Sequence, residues 1–182
     1  MTNKTEPGWS DQVVAHVRRF WDGRLRAIDP ARIHPDLSAV TRRYLSDVGL
    51  PDFAPRWGFE CIADRTDQIL TRDGRDYVVV GGIRGTSLLY GIDVRTDQVF
   101  CVNSQDPMDE PELMNTTVAL WVLSAGAVDR EIISQIGVVE PDSAEAGAVV
   151  ERVRQFLTAM DPVAMRYERG RTWHGYLNSF ED

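Results

Sequence analysis

The feature that most constrains this chain is a double change of hydrophobic period. Up to Val48 apolar residues recur every three to four positions; from Pro51 to Ser104 they alternate; past Glu112 the longer period returns. A period near 3.6 marks a helix with one buried face, and a period of 2 marks a strand. Consecutive strands with short breaks favour an antiparallel meander over βαβ units. The expected fold is therefore α+β: a single domain, with a mainly antiparallel sheet of about five strands flanked by N-terminal and C-terminal helices. Within residues 1–182, residues 1–9 read as a disordered lead, 10–48 as N-terminal helices, 51–104 as sheet and 112–180 as C-terminal helices.

The first helix is expected from Ser10 to Ala27, with Val13, Val17, Phe20, Trp21 and Leu25 on its buried face and Ser10 as N-cap. The second runs from Asp36 to Val48 and ends in "VGLP". There Gly49 takes the left-handed conformation after the last turn, Leu50 folds back and Pro51 prevents continuation. Strands are expected near Trp57–Ile62, Gln68–Thr71, Tyr77–Ile83, Leu88–Val94 and Val99–Asn103, with "RDGRD" and "RTDQ" as turns. "PELMNTTVALWVLSAGAV" reads as a helix, capped by Asn115 or Thr116 if it starts late. "SAEAGAVVERVRQFLTAMDP" and a short terminal segment holding Trp173, Tyr176, Leu177 and Phe180 complete the helices.

Charge narrows the function. The net charge is −8, which disfavours direct nucleic-acid binding, since that needs a basic footprint. Between Arg95 and Arg130 there is no Lys or Arg, whereas Asp97, Asp106, Asp109, Glu110, Glu112 and Asp129 all fall there. No apolar run approaches the ~20 residues of a membrane span, and the polar N-terminus lacks the core of a secretion signal, so the expected location is cytoplasmic. Cys61 and Cys101 lie in two different strand-like runs and read as two buried thiols, with a disulfide as the alternative.

Catalytic and metal motifs are missing. His16, His34 and His174 stand in no metal-ligand spacing, there is no G-x-S-x-G, and "GGIRGTS" lacks the Lys that ends a phosphate-binding loop. Its glycines suit a turn presenting Arg84 at the sheet edge. No cofactor is implied. The most concentrated chemistry is the segment carrying Asp106, Asp109, Glu110 and Glu112. It reads as a solvated loop ahead of a helix, as a docking surface for a basic partner, or as a Ca²⁺ or Mg²⁺ site without the usual loop pattern.

Four motifs in order, "TRRYLSDVGLP", "DYVVVGG", "LLYGIDVRTDQVFCVN" and "MNTTVALWVLSA", resemble the SUKH superfamily, most closely its fourth group of bacterial immunity proteins. The matching positions are Gly49, Leu50 and Pro51; Gly81 or Gly82; Leu89, Asp93, Thr96 and Val99; and Asn115, Thr116 and Thr117. Asp161, Pro162 and Trp173 match the group's closing helices, and Asp97 replaces the usual Gly of the hairpin turn. The resemblance implies a non-enzymatic α+β domain that neutralises a cognate toxin, often a nuclease or nucleic-acid deaminase, by direct binding.

The leading expectation is an immunity protein whose contact surface includes Asp106, Asp109, Glu110 and Glu112, with Arg84 and Trp57 at the sheet edge. Its partner would be a basic toxin domain, with no nucleic acid, membrane or metal involved. Two alternatives stand beside it: a regulatory or scaffold protein of the same fold, and a small hydrolase or deaminase pairing His34 or His174 with a carboxylate.

Overall fold

The computed structural model describes residues 9–51, 59–61, 66–135, 143–166 and 173–180. Ser10 caps the first helix, α1 (Asp11–Trp21), its side chain accepting from the Val13 N–H. The helix stops six residues short of the expected Ala27. Asp22 and Gly23 both turn left-handed (φ 43° and 76°), which breaks the helix. Leu25 therefore leaves the helical face and joins β1 (Leu25–Arg26), which pairs antiparallel with β2 (Leu50–Pro51). Between them lies α2 (Ala39–Asp47), capped by Ser38 rather than starting at Asp36.

The β1–β2 contact explains why Gly49 must be glycine. Its φ is +86°, and a Cβ there would lie 2.0 Å from the Arg26 carbonyl oxygen. No larger residue fits that approach of two backbones.

The main sheet is antiparallel, in the order β3-β5-β6-β7-β8, with β4 also pairing β5. β3 (Phe59–Cys61) and β4 (Ile69–Arg72) share one edge of the nine-residue β5 (Arg75–Ile83), opposite Gly81–Ile83 and Arg75–Val78 respectively. β6 (Leu88–Asp93), β7 (Val99–Asn103) and β8 (Glu112–Asn115) follow. The sheet is thus five strands wide, in line with the expected count of about five, with β4 as a sixth strand beside β3. Asp73 and Gly74, with φ of 50° and 69°, form the two-residue turn between β4 and β5.

β8 is a departure from the expected helix over Glu112–Val128. Leu113 and Met114 take opposite faces of the sheet, and the strand pairs with β7. The helix α3 (Val118–Glu131) begins only after Thr117, whose hydroxyl accepts from the Leu120 N–H. Pairing with β7 outweighs the helical propensity of "ELM", and neither Asn115 nor Thr116 is the cap. α4 (Ala144–Met160) and α5 (Trp173–Asn178) complete the chain.

One sheet face, with Val78, Val80, Tyr90, Ile92, Cys101 and Met114, shares a single core with the helices. α3 lies at its centre and is buried nearly all round. Trp121 packs on Tyr90 of the sheet (5.4 Å between rings), while Gly126 meets α1, where a Cβ would stand 2.7 Å from Trp21 Nε1. That indole in turn donates to the Val122 carbonyl at 2.8 Å.

The opposite sheet face buries a smaller cluster of Tyr77, Phe100 and Val102 with Leu70 and Leu113. Arg72 of β4 donates to the Asn103 carbonyl at 2.6 Å. In a flat sheet β4 and β7 stand three spacings apart, about 14 Å. The contact therefore requires the outer hairpin to curl over this face, its Arg stem helping to cover it.

The register also settles the cysteines. Cys61 pairs Gly81, Gly81 pairs Tyr90, and Tyr90 pairs Cys101. Three strand spacings, about 14 Å, separate the two backbone positions, beyond the ~7 Å limit for bridging Cα atoms.

Candidate functional site

At one end of the sheet the β5–β6 turn and the β7–β8 loop come together. Ser104 donates both its N–H (2.8 Å) and its hydroxyl (2.9 Å) to the Ser87 carbonyl. Asn103 organises the junction. Its Oδ1 accepts from the Ser87 hydroxyl at 2.7 Å and from the Gln105 and Asp106 N–H groups at 3.2 Å. Its Nδ2 donates to Asp109 Oδ2 at 3.0 Å. Asp106 Oδ1 in turn accepts from the Met108 N–H at 2.9 Å. The acidic segment is a folded loop with a defined shape, further stiffened by Pro107 and Pro111.

The expected contact residues fare differently. Asp106 and Glu110 are exposed and Asp109 is half-buried. Arg84 is exposed on the neighbouring turn, which Gly85 closes with φ +78°. Glu112 is drawn into β8 opposite Cys101 and is buried, so it stands apart from the loop's surface. Trp57 lies outside the described residues.

Sequence reasoning missed Met108. At the loop tip it is 87% exposed, against 39% for the next large apolar residues, Ile69 and Val163. An exposed apolar side chain on a loop rich in carboxylates suits an interface anchor with a polar rim. Only its position between Asp106 and Asp109 hinted at this, and sequence cannot show exposure.

The histidines stand apart from one another. His16 on α1 stacks against Phe20 and meets Phe156 edge-on, and His174 lies on α5. His34 Nδ1 lies 4.0 Å from Asp36, an exposed carboxylate. Two cavities among the described residues, one beside Trp9 and Thr117 and one beside Phe20 and Phe156, are lined by neither His34 nor His174. Among the described residues no group of three or more His, Cys, Asp or Glu side chains is placed to hold a metal ion, and no helix is long and apolar enough to cross a membrane.

The residues behind the family resemblance form a second constellation, buried and structural. Asp161, at the end of α4, accepts at Oδ2 from the Thr116 N–H (2.8 Å), the Thr116 hydroxyl and Asn115 Nδ2 (both 3.1 Å). Its Oδ1 accepts from the Ala164 N–H at 3.3 Å. Asp93, also buried, accepts at Oδ1 from the Arg95 N–H at 2.7 Å and pairs with Arg75 through Oδ2 at 3.4 Å, fixing the β6–β7 turn.

A profile of the SUKH-4 immunity protein family matches residues 11–179, nearly the whole chain. The chain belongs to the SUKH-4 immunity protein family. No curated protein and no solved structure matches it. SUKH-4 members are immunity proteins, generally non-enzymatic, and membership implies a cognate toxin as partner. In this SUKH-4 chain the Gly49-Leu50-Pro51 corner, the Asp93 turn and the Asn115–Asp161 cluster all hold the frame. None of them belongs to the loop Gln105–Pro111.

Proposed function

We propose that this SUKH-4 protein neutralises a toxin domain with a basic face by direct binding, and that the loop Gln105–Pro111 supplies the contact. The observation that carries this reading is Met108, 87% exposed on a folded loop that also carries Asp106, Asp109 and Glu110. Net charge −8 favours capture of a basic partner by electrostatic steering, and a preformed loop loses little entropy on docking. A nuclease or nucleic-acid deaminase has such a basic face, because it must hold phosphates. Carboxylates on the loop would occupy the place of those phosphates. Arg84 on the adjacent turn extends the proposed surface, and buried Glu112 supports it from within β8.

The test is association with the cognate toxin domain, measured by stopped flow over a salt series. Asp109→Lys with Glu110→Lys is expected to slow association about tenfold or more at low salt, with the difference shrinking as salt rises. Met108→Ala is expected to speed dissociation instead. An unchanged association rate in the double charge variant would move the contact to another face.

A further inference from the structure

On the outer side of the helical layer, α1 and α4 lie over α3 and leave a cleft of about 220 Å³ between them. Phe156 of α4 forms its floor, set edge-on to Phe20 (5.8 Å) and to His16 (5.3 Å). Val149 and Val153 continue the apolar lining. Arg19 and Arg152 stand at the rim, one from each helix, both exposed and neither with a carboxylate partner among the described residues. Arg19 is held in place over the Phe20 ring, 4.7 Å from its centroid. The cleft is the size of one or two side chains, apolar below and cationic at two edges. Its complement is an apolar side chain flanked by carboxylates.

The chain itself carries that complement. Met108 is exposed on its loop, with the exposed Asp106 and Glu110 two positions to either side of it in the chain. An unbranched thioether side chain fits irregular apolar gaps, and carboxylates form charge-assisted bonds with guanidinium groups. The loop is tied to the sheet through Asn103 and Ser87, whereas the cleft opens on the far side of α3 from that sheet. One molecule cannot close this contact on itself. We propose that the α1–α4 cleft receives the Met108 loop of a second copy of this chain, giving head-to-tail self-association. The two surfaces differ, so the contact is heterologous and each bound pair leaves one loop and one cleft open. Glu131, which also lines the cleft, opposes the incoming carboxylates and limits the affinity. The loop presents little area, well below the ~1,200 Å² of a stable interface, so the dissociation constant falls at roughly 0.1–1 mM.

Sedimentation velocity at low salt tests this, with folding of each variant checked by circular dichroism. The wild-type chain is expected to shift to larger species as concentration rises through that range. Met108→Lys and the pair Arg19→Glu with Arg152→Glu are each expected to remain monomeric. Mixing these two variants is decisive: one intact cleft meets one intact loop, so a dimer and nothing larger forms. Glu131→Gln is expected to strengthen association severalfold. If the Arg pair fails to fold, Arg152→Glu alone takes its place. A wild-type chain that stays monomeric throughout, or a mixture that forms no dimer, overturns the proposal. It shares the loop with the toxin reading but does not depend on it. The cleft variants are expected to keep toxin capture, so failure of capture in every variant would count against that reading alone.

Discussion

The Trp173 indole Nε1 donates to Asn115 Oδ1 at 2.7 Å, joining the terminal helix to the end of β8 across 58 residues of chain. Both residues are buried, and Asn115 passes the connection on through Nδ2 to Asp161 and to the Ser124 hydroxyl. Sheet, α3, α4 and α5 are thereby fixed to one another by a polar cluster inside the core. Removing one member strands the others without water, and each stranded group costs about 1–3 kcal/mol.

Asp161→Ala leaves Asn115 Nδ2 and both donors of Thr116 without their acceptor. The expected loss is at least about 3 kcal/mol. Trp173→Phe strands only Asn115 Oδ1, but the smaller ring also leaves a cavity, so a loss of about 2–4 kcal/mol is expected. Urea denaturation followed by tryptophan fluorescence measures both, and a loss under about 1 kcal/mol in either variant would count against a shared cluster.

Two glycines set backbone contacts that propensity alone misjudges. In an exposed helix Gly126→Ala would gain about 1 kcal/mol. Here the new methyl meets Trp21 Nε1 at 2.7 Å and Phe20 Cβ at 2.9 Å, so a net loss of about 1–3 kcal/mol is expected. Gly49→Ala meets backbone at 2.0 Å and a positive φ together, and is expected to yield no folded protein. Expression yield and thermal unfolding of the two variants separate these outcomes.

Asp97 occupies a left-handed position, φ 58°. Its Oδ1 also accepts from the Ser38 N–H at 3.3 Å, tying the hairpin turn to the start of α2. Asp97→Gly relieves about 1 kcal/mol of backbone strain and loses about 1 kcal/mol of hydrogen bonding, so stability is expected to stay nearly constant. Asp97→Ala loses the bond and keeps the strain, and about 1–2 kcal/mol is expected. A thermal shift series of the two variants reads the difference.

Burial pushes the Tyr77 phenol above its ordinary range, against the pull of neighbouring Arg75, and burial raises that of Tyr176 further. A phenol whose pKa is raised by folding stabilises fully below the unfolded value of about 10 and progressively less above it. Stability is therefore expected to fall from about pH 10 upward through these two groups. Replacing both with Phe should flatten that limb of the urea-midpoint profile, and an equally steep fall in the double variant would assign it elsewhere.

Local chemistry determined much of this fold. Ser10 and Ser143 cap α1 and α4, Asp73-Gly74 closes a hairpin, and the alternation in "LLYGID" and "VFCVN" places β6 and β7. The "VGLP" corner and the order of motifs carried the family. Each of these rests on interactions within a few residues, so the sequence records it directly. Other features needed partners far along the chain. "ELMN" became a strand because β7 offered it a ladder, and α1 ended early at two left-handed residues that let Leu25 reach β1 and pair with β2. Asp161 and Asn115, 46 residues apart, became one cluster only on packing. The acidic loop was legible as charge, but its folded shape, the burial of Glu112 and the exposure of Met108 were not. Exposure is a relation between a side chain and everything that fails to cover it, and only the tertiary structure decides that.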